Sequence, residues 1–165
     1  MSPSRWRWHA RLRRTLRKSA VEVRANLVLE DGLEGFVHLD WLLLRPEGLY
    51  LIDILEGEGA LLAGDNLREW TLLGKRRFVF PNPVQGMASK LAAVRRSGAG
   101  QPAKTLLVLS NGLDLPRVRP SIAVDLATLE KRLPPLPGDA AVTPDLARGW
   151  ARLIEASAKA GQVPP

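Results

Sequence analysis

Two aspartates stand out as residues whose type and spacing could do chemistry: Asp40, in Phe36-Val-His-Leu-Asp-Trp-Leu-Leu-Leu44, and Asp53, in Leu49-Tyr-Leu-Ile-Asp-Ile-Leu55. The two apolar runs flank Arg45-Pro46-Glu47-Gly48, a turn-forming tetrad. Folded as a hairpin, the chain sets Leu44 against Leu49, and Asp40 then falls opposite Asp53. Directly opposed residues share a face of the sheet, with Cβ atoms roughly 5 Å apart. Like charges that close repel unless a cation or basic group stands between them. A carboxylate on each of two adjacent strands can hold Mg²⁺ through oxygen. A metal so held polarises a phosphodiester and lowers the pKa of its bound water. A lysine two residues past the second carboxylate would share its face, orient that water and stabilise developing charge. That position is Leu55, which can do neither. The plainer reading of both aspartates is polar punctuation in a solvent-facing strand, and the pairing by itself leaves both readings open. His38 shares the parity of Asp40. It is a candidate ligand or general base, set against the commoner role of a packed strand residue with one hydrogen bond.

The elements that must position these residues follow from pattern. Met1 to Ser19 reads as a basic helix that Ser4 can cap, with Trp8, Leu12 and Leu16 at i, i+4 and i+8. In the first strand, Val21 to Glu30, residues Val21, Val23, Leu27 and Leu29 share one parity. The central hairpin is apolar on both parities, which implies a sheet covered on both sides and an α/β architecture. Gly57 and Gly59 permit a bulge or bend after Leu55, with Glu56 and Glu58 on the opposite parity to Asp53. A second hairpin joins Arg68–Leu72 to Arg77–Phe80 through Gly74-Lys75. Asn82 suits an N-cap and Pro83 the first helical position. Gln85 then stands where a capping box would place it, and Met87, Leu91 and Val94 continue that helix to Arg95-Arg96. Lys104 to Ser110 is a short apolar run of buried-strand type. Ser121 to Val124 reads as a further strand, Asp125 caps a short helix, and Thr143-Pro144 opens the last helix, which Gly161 ends.

Composition bounds the rest. At 165 residues the chain is expected to form one domain over residues 20–165, long enough to bury a sizeable core, with residues 1–19 as a basic arm. The absence of cysteine excludes disulfides and thiolate metal sites and fits a reducing cytoplasm. No apolar run approaches membrane-spanning length. Of the 24 basic residues, seven lie within residues 1–21, where there is no acid. The remaining 17 balance 17 acidic ones. The positive charge is therefore an arm and not a uniformly basic surface. Three roles are open to the helix. Its apolar stripe can dock on the domain. Its Arg5, Arg7, Arg11 and Arg14 can meet nucleic-acid phosphates while Trp6 and Trp8 stack on bases. It can also lie on an anionic membrane surface or in a protein partner's groove.

Taken together, Leu39-Asp40-Trp-Leu-Leu-Leu44, Gly48-Leu-Tyr-Leu-Ile-Asp53, Gly59 with Trp70 downstream, and Asn82-Pro83-Val84-Gln85 resemble the nuclease-related domain family, over about residues 20 to 160. That family belongs to the restriction-endonuclease-like group with the PD-(D/E)xK active site. The resemblance implies a restriction-endonuclease-like mixed β-sheet with helices on both faces, plus the basic N-terminal helix. It also implies Mg²⁺ on Asp40 and Asp53, with Gln85, from the family's NPxxQ stretch, near the site as a third catalytic position. The sequence departs from the family in two places. The E-x-K of the family is here Asp53-Ile54-Leu55, and the helical glutamate that usually precedes the first strand has no counterpart in Arg13 to Ser19. A positioned basic group is typically worth roughly a hundredfold or more in rate, so the expectation is an eroded metal site in a domain that binds nucleic acid, DNA first, with weak or no phosphodiester cleavage. Two alternatives stand beside it. One is an active Mg²⁺-dependent DNA endonuclease with a migrated basic residue, for which Lys75, Arg68 and Arg24 are candidates. The other is a non-catalytic module that uses the N-terminal arm to bind nucleic acid or protein.

Overall fold

The computed structural model describes residues 2–162; Met1 and residues 163–165, at the outer edges of the expected arm and domain, lie outside them. Helix α1 (Pro3–Lys18) leads into β1 (Glu22–Glu30), β2 (Phe36–Arg45) and β3 (Gly48–Leu55). β4 (Gly59–Leu62), β5 (Glu69–Leu73) and β6 (Arg77–Pro81) follow, then α2 (Pro83–Ser97) and β7 (Ala103–Leu109). The short strands β8 (Leu113–Asp114) and β9 (Ala123–Val124) precede α3 (Leu126–Arg132) and α4 (Pro144–Ala160).

The strands form two sheets, not one. The first has the order β1-β2-β3-β7-β9 and the second β6-β5-β4-β8. The first sheet is mixed: β1, β2 and β3 pair antiparallel, while β7 runs parallel to β3 and β9 parallel to β7. Helices cover both of its faces. On one face, Trp8, Leu12 and Leu16 of α1 and Leu126 and Leu129 of α3 pack on Leu43, Ile52, Leu106 and Val108. On the other, Ala93 and Val94 of α2 and Leu146, Trp150 and Leu153 of α4 pack on Leu39, Leu42, Leu49 and Leu51. The second sheet closes a third cluster, in which Leu61 and Trp70 meet Met87, Leu107 and Leu109.

The i, i+4, i+8 stripe of α1 is thus core. Each of its three side chains is worth about 1.5–3 kcal/mol in buried apolar surface, enough to hold the helix on the sheet. Ser2 caps the helix in place of Ser4, accepting from the Arg5 amide at 3.3 Å. Pro3, whose fixed φ suits the first helical position, sets the cap one residue before it. The last turn is tied down through Ser19. Its carbonyl accepts from the buried Arg45 guanidinium, which also reaches Glu47 Oε1 at 2.6 Å.

Strands β1 and β2 change face together near the middle. Val37 and Leu39 pack on the α2/α4 side, and so do Leu42 and Leu44, although regular alternation would separate 39 from 42. In β1, Val23 packs on the α1/α3 side and Leu27 and Leu29 on the other, so the shared parity of these residues does not place them on one face. The discontinuity falls at one level. Ala25 pairs with Trp41 and Leu27 with Leu39, but Asn26 and Asp40 between them make no ladder pair. Asn26 has a φ of 53°, in the left-handed region that asparagine tolerates better than most residues. The site is built at this bend.

Candidate active site

Asp40 and Asp53 sit at a fork. The β2–β3 register places Leu44 opposite Leu49, as the hairpin reading requires, and runs from Arg45–Gly48 to Trp41–Ile52. The next step would pair Asp40 with Asp53, and there the strands part. β2 continues along β1, while β3 continues along β7 with Asp53 beside Leu107. Main-chain N–H groups that lose their ladder partners in a sheet need others, and the two carboxylates supply them crosswise. The Asp40 amide donates to Asp53 Oδ1 at 3.2 Å, and the Ile54 amide donates to Asp40 Oδ2 at 2.9 Å. The two positions adjoin without pairing, and each carboxylate is bonded to the backbone of the other strand.

The position two residues beyond Asp53 is apolar in place as well as in type. Leu55 packs against the third cluster, beside the second sheet. The basic group comes from elsewhere: Lys90 Nζ, on α2, donates to Asp53 Oδ2. The Asp53 side chain is only 9% exposed and that of Lys90 25%. None of Lys75, Arg68 or Arg24 takes this role, and Arg24 instead lies 3.7 Å from Glu22 Oε2. The sequence carries a signal for Lys90. Met87, Lys90, Leu91 and Val94 fall at i, i+3, i+4 and i+7, so a lone charge interrupts the inward stripe of α2.

Gln85 is not part of the constellation. It is exposed and its side chain makes no hydrogen bond among the described residues. Helical geometry turns it about 140° away from Lys90. In NPxxQ the glutamine is the fifth residue, which here is Gly86, and a Cβ added at Gly86 would meet nothing within 4 Å. Nor does Gln85 complete a capping box, because the Asn82 amide already donates to the Arg68 carbonyl at 3.0 Å. Asn82 itself does cap α2. Its Oδ1 accepts from the Val84 amide at 2.9 Å, and its Nδ2 donates to the carbonyls of Gly64, Asp65 and Leu67 at 3.2, 3.1 and 2.7 Å.

On the α1 side of the fork a cleft of about 300 Å³ is lined by His9, Asn26, Asp40, Trp41, Ile54 and Glu56. His38 is half-exposed, with Nδ1 3.5 Å from Asp40 Oδ1. Glu56, on the face opposite Asp53, is held by α1. Arg5 grips it with two bonds of 3.2 and 3.1 Å, and His9 Nε2 lies 2.5 Å from Oε1. The Arg5 bonds, aided by His9, keep the Glu56 carboxyl below the usual glutamate range against the opposing effect of burial. Arg11 binds Glu130 in the same two-pronged manner at 2.8 and 2.6 Å, and lowers its pKa likewise.

These pairs and the packing of α1 sort the residues expected to touch nucleic acid. Trp8 is buried in the core and presents no ring face to a base. Arg5 and Arg11 are engaged by Glu56 and Glu130. Trp6, 59% exposed, and Arg7 and Arg14 remain on the outer face. Arg13 and Arg17 join them within about a third of the helix circumference. Among the described residues none of these four arginines has a carboxylate partner.

The family model of the nuclease-related domain matches residues 6–110, from within α1 to the residue after β7. The chain belongs to that family. No curated protein and no solved structure matches it. The match takes in α1, in keeping with the helix being packed into the core, and it covers the fork, Leu55 and Lys90 alike.

The divalent metal implied for a nuclease-related domain does not fit this fork as it is built. Of the four carboxylate oxygens, three already accept hydrogen bonds, one of them from a lysine ammonium. Among the described residues no group of three or more histidine, aspartate or glutamate side chains is arranged to hold an ion. Mg²⁺ demands near-octahedral oxygen coordination and tolerates little distortion. Among the described residues no helix is long and apolar enough to cross a membrane.

Proposed function

We propose that this nuclease-related domain is a cytoplasmic nucleic-acid-binding protein with an eroded metal site, which binds DNA and cleaves it weakly or not at all. The observation that carries the reading is the pairing of Lys90 with Asp53 while Leu55 packs, partly buried, against the third apolar cluster. One charge that would draw a cation is neutralised, and the slot for the water-orienting lysine is filled with hydrocarbon. Binding is carried by the outer face of α1. Arg7, Arg13, Arg14 and Arg17, without carboxylate partners among the described residues, form a row of cations that matches a phosphate backbone, and Trp6 offers an exposed ring for stacking on a base.

A second reading has one observation in its favour. Lys90 restores a cation beside Asp53, so the domain can be read as a Mg²⁺-dependent endonuclease whose basic residue has moved to α2. Pure protein incubated with plasmid in Mg²⁺ or Mn²⁺ separates the two. The proposed function expects at most slow nicking, and digestion of the plasmid to completion that Asp53→Asn abolishes would refute it. For binding, the quadruple variant Arg7→Ala/Arg13→Ala/Arg14→Ala/Arg17→Ala should flatten the dependence of log K on log salt for duplex DNA. The slope should fall by about 0.9 per lost phosphate contact. An unchanged slope would remove this face from the account.

A further inference from the structure

We infer that Lys90 is a tethered cation that stands where a divalent metal would stand, so that the domain closes its acidic fork without any metal. The inference rests on the proposed loss of the metal site and goes further, since it names the group that replaced the metal and the consequence for ion binding. Two carboxylates adjoin at the strand fork, each bonded to the backbone of the other strand, and the repulsion between like charges brought near one another is offset by a positive charge beside either of them. The crosswise amide bonds satisfy one oxygen of each. Two oxygens remain: Asp40 Oδ1, 3.5 Å from His38 Nδ1, and Asp53 Oδ2, to which the Lys90 ammonium is bonded.

The placement of Lys90 fits this role. Its side chain emerges from the inward stripe of α2, on a helix anchored at one end by Asn82 and buried beyond by Ala93 and Val94. A long flexible lysine would otherwise turn to water. Here it is three-quarters covered, which is tolerable only for a paired ammonium. Leu55, packed against the third cluster, adds no second cation beside Asp53.

The test is ion binding in the absence of nucleic acid, read by Mn²⁺ electron paramagnetic resonance and repeated with Mg²⁺ as stabilisation in a thermal melt. The wild-type protein should show no saturable Mn²⁺ site that depends on Asp53. Lys90→Ala should create one, with affinity at least tenfold above that of wild type, and Lys90→Ala/Asp53→Asn should lose it. A saturable wild-type site abolished by Asp53→Asn overturns the inference, and so does a folded Lys90→Ala protein that gains no Mn²⁺ affinity. Should Lys90→Ala fail to fold, the comparison of wild type with Asp53→Asn still decides. Mn²⁺ binding at Asp53 without plasmid cleavage defeats this inference and leaves the proposed function standing, whereas complete plasmid digestion that depends on Asp53 defeats the proposed function directly.

Discussion

Breaking the Lys90–Asp53 pair should be costly, and the cost should belong to the pair. Lys90→Met keeps most of the apolar stem and removes the ammonium, leaving Asp53 charged and nine-tenths covered. Removing one partner of a fully buried pair costs about 3–5 kcal/mol, and an exposed pair is worth about 0–1 kcal/mol. Lys90 retains some water, so about 2–3 kcal/mol is expected, between those bounds. For a chain of this length that corresponds to a fall in Tm of about 4–12 °C. Asp53→Asn removes the charge and still offers one oxygen to the Asp40 amide, so about 1–2 kcal/mol is expected. The double variant should cost less than the two singles together, with a coupling energy of about 1–3 kcal/mol. Urea unfolding followed by tryptophan emission, on the wild type and the three variants, gives that coupling. It should change little between low and high salt, because the pair is shielded. A coupling below about 0.5 kcal/mol, the level at which independent sites add, would show that Lys90 does not hold Asp53 and would refute the reasoning.

Other outcomes follow from the same contacts. Asn82→Ala removes a helix cap and the two N–H donors shared among three carbonyls of the 64–67 loop, so about 2–4 kcal/mol of stability should be lost, seen as a lower urea midpoint. Arg5 and Arg11 lower the pKa values of Glu56 and Glu130. Their contribution to stability is therefore present above the ordinary glutamate range and is lost as pH falls through the lowered folded values. Glu56→Gln/Glu130→Gln should weaken the acid-side drop in Tm, and an unaltered drop would count against these pairs. Leu55→Lys should destabilise the domain by about 1–3 kcal/mol, since it places an ammonium against an apolar cluster. It should leave plasmid uncut, because Lys90 still closes Asp53; cleavage by this single variant would contradict that account.

What the sequence determined by itself was local. Alternation and the Arg45–Gly48 turn specify the hairpin and its register, and with it the meeting of Asp40 and Asp53, because a two-strand ladder with a short turn has little freedom to slip. The caps at Asn82, Asp125 and Thr143 and the stripe of Trp8, Leu12 and Leu16 are equally legible, since each depends on residues within a few positions. The same holds for the covering of both sheet faces, which follows from a hairpin apolar on both parities. What only the tertiary structure decided depends on contacts between distant elements. The bend at Asn26 and Asp40 reverses the faces of two strands, and no parity rule applied to either strand alone contains it. The pairing of β8 with β4 and of β9 with β7 rests on two-residue contacts, too short to leave a pattern. The approach of Lys90 to Asp53 spans 37 residues; its trace in the sequence is a charge in an apolar stripe, which shows that a partner is needed without saying which one. Electrostatic pairing acts through space, and the identity of the partner was fixed only when α2 packed across the fork.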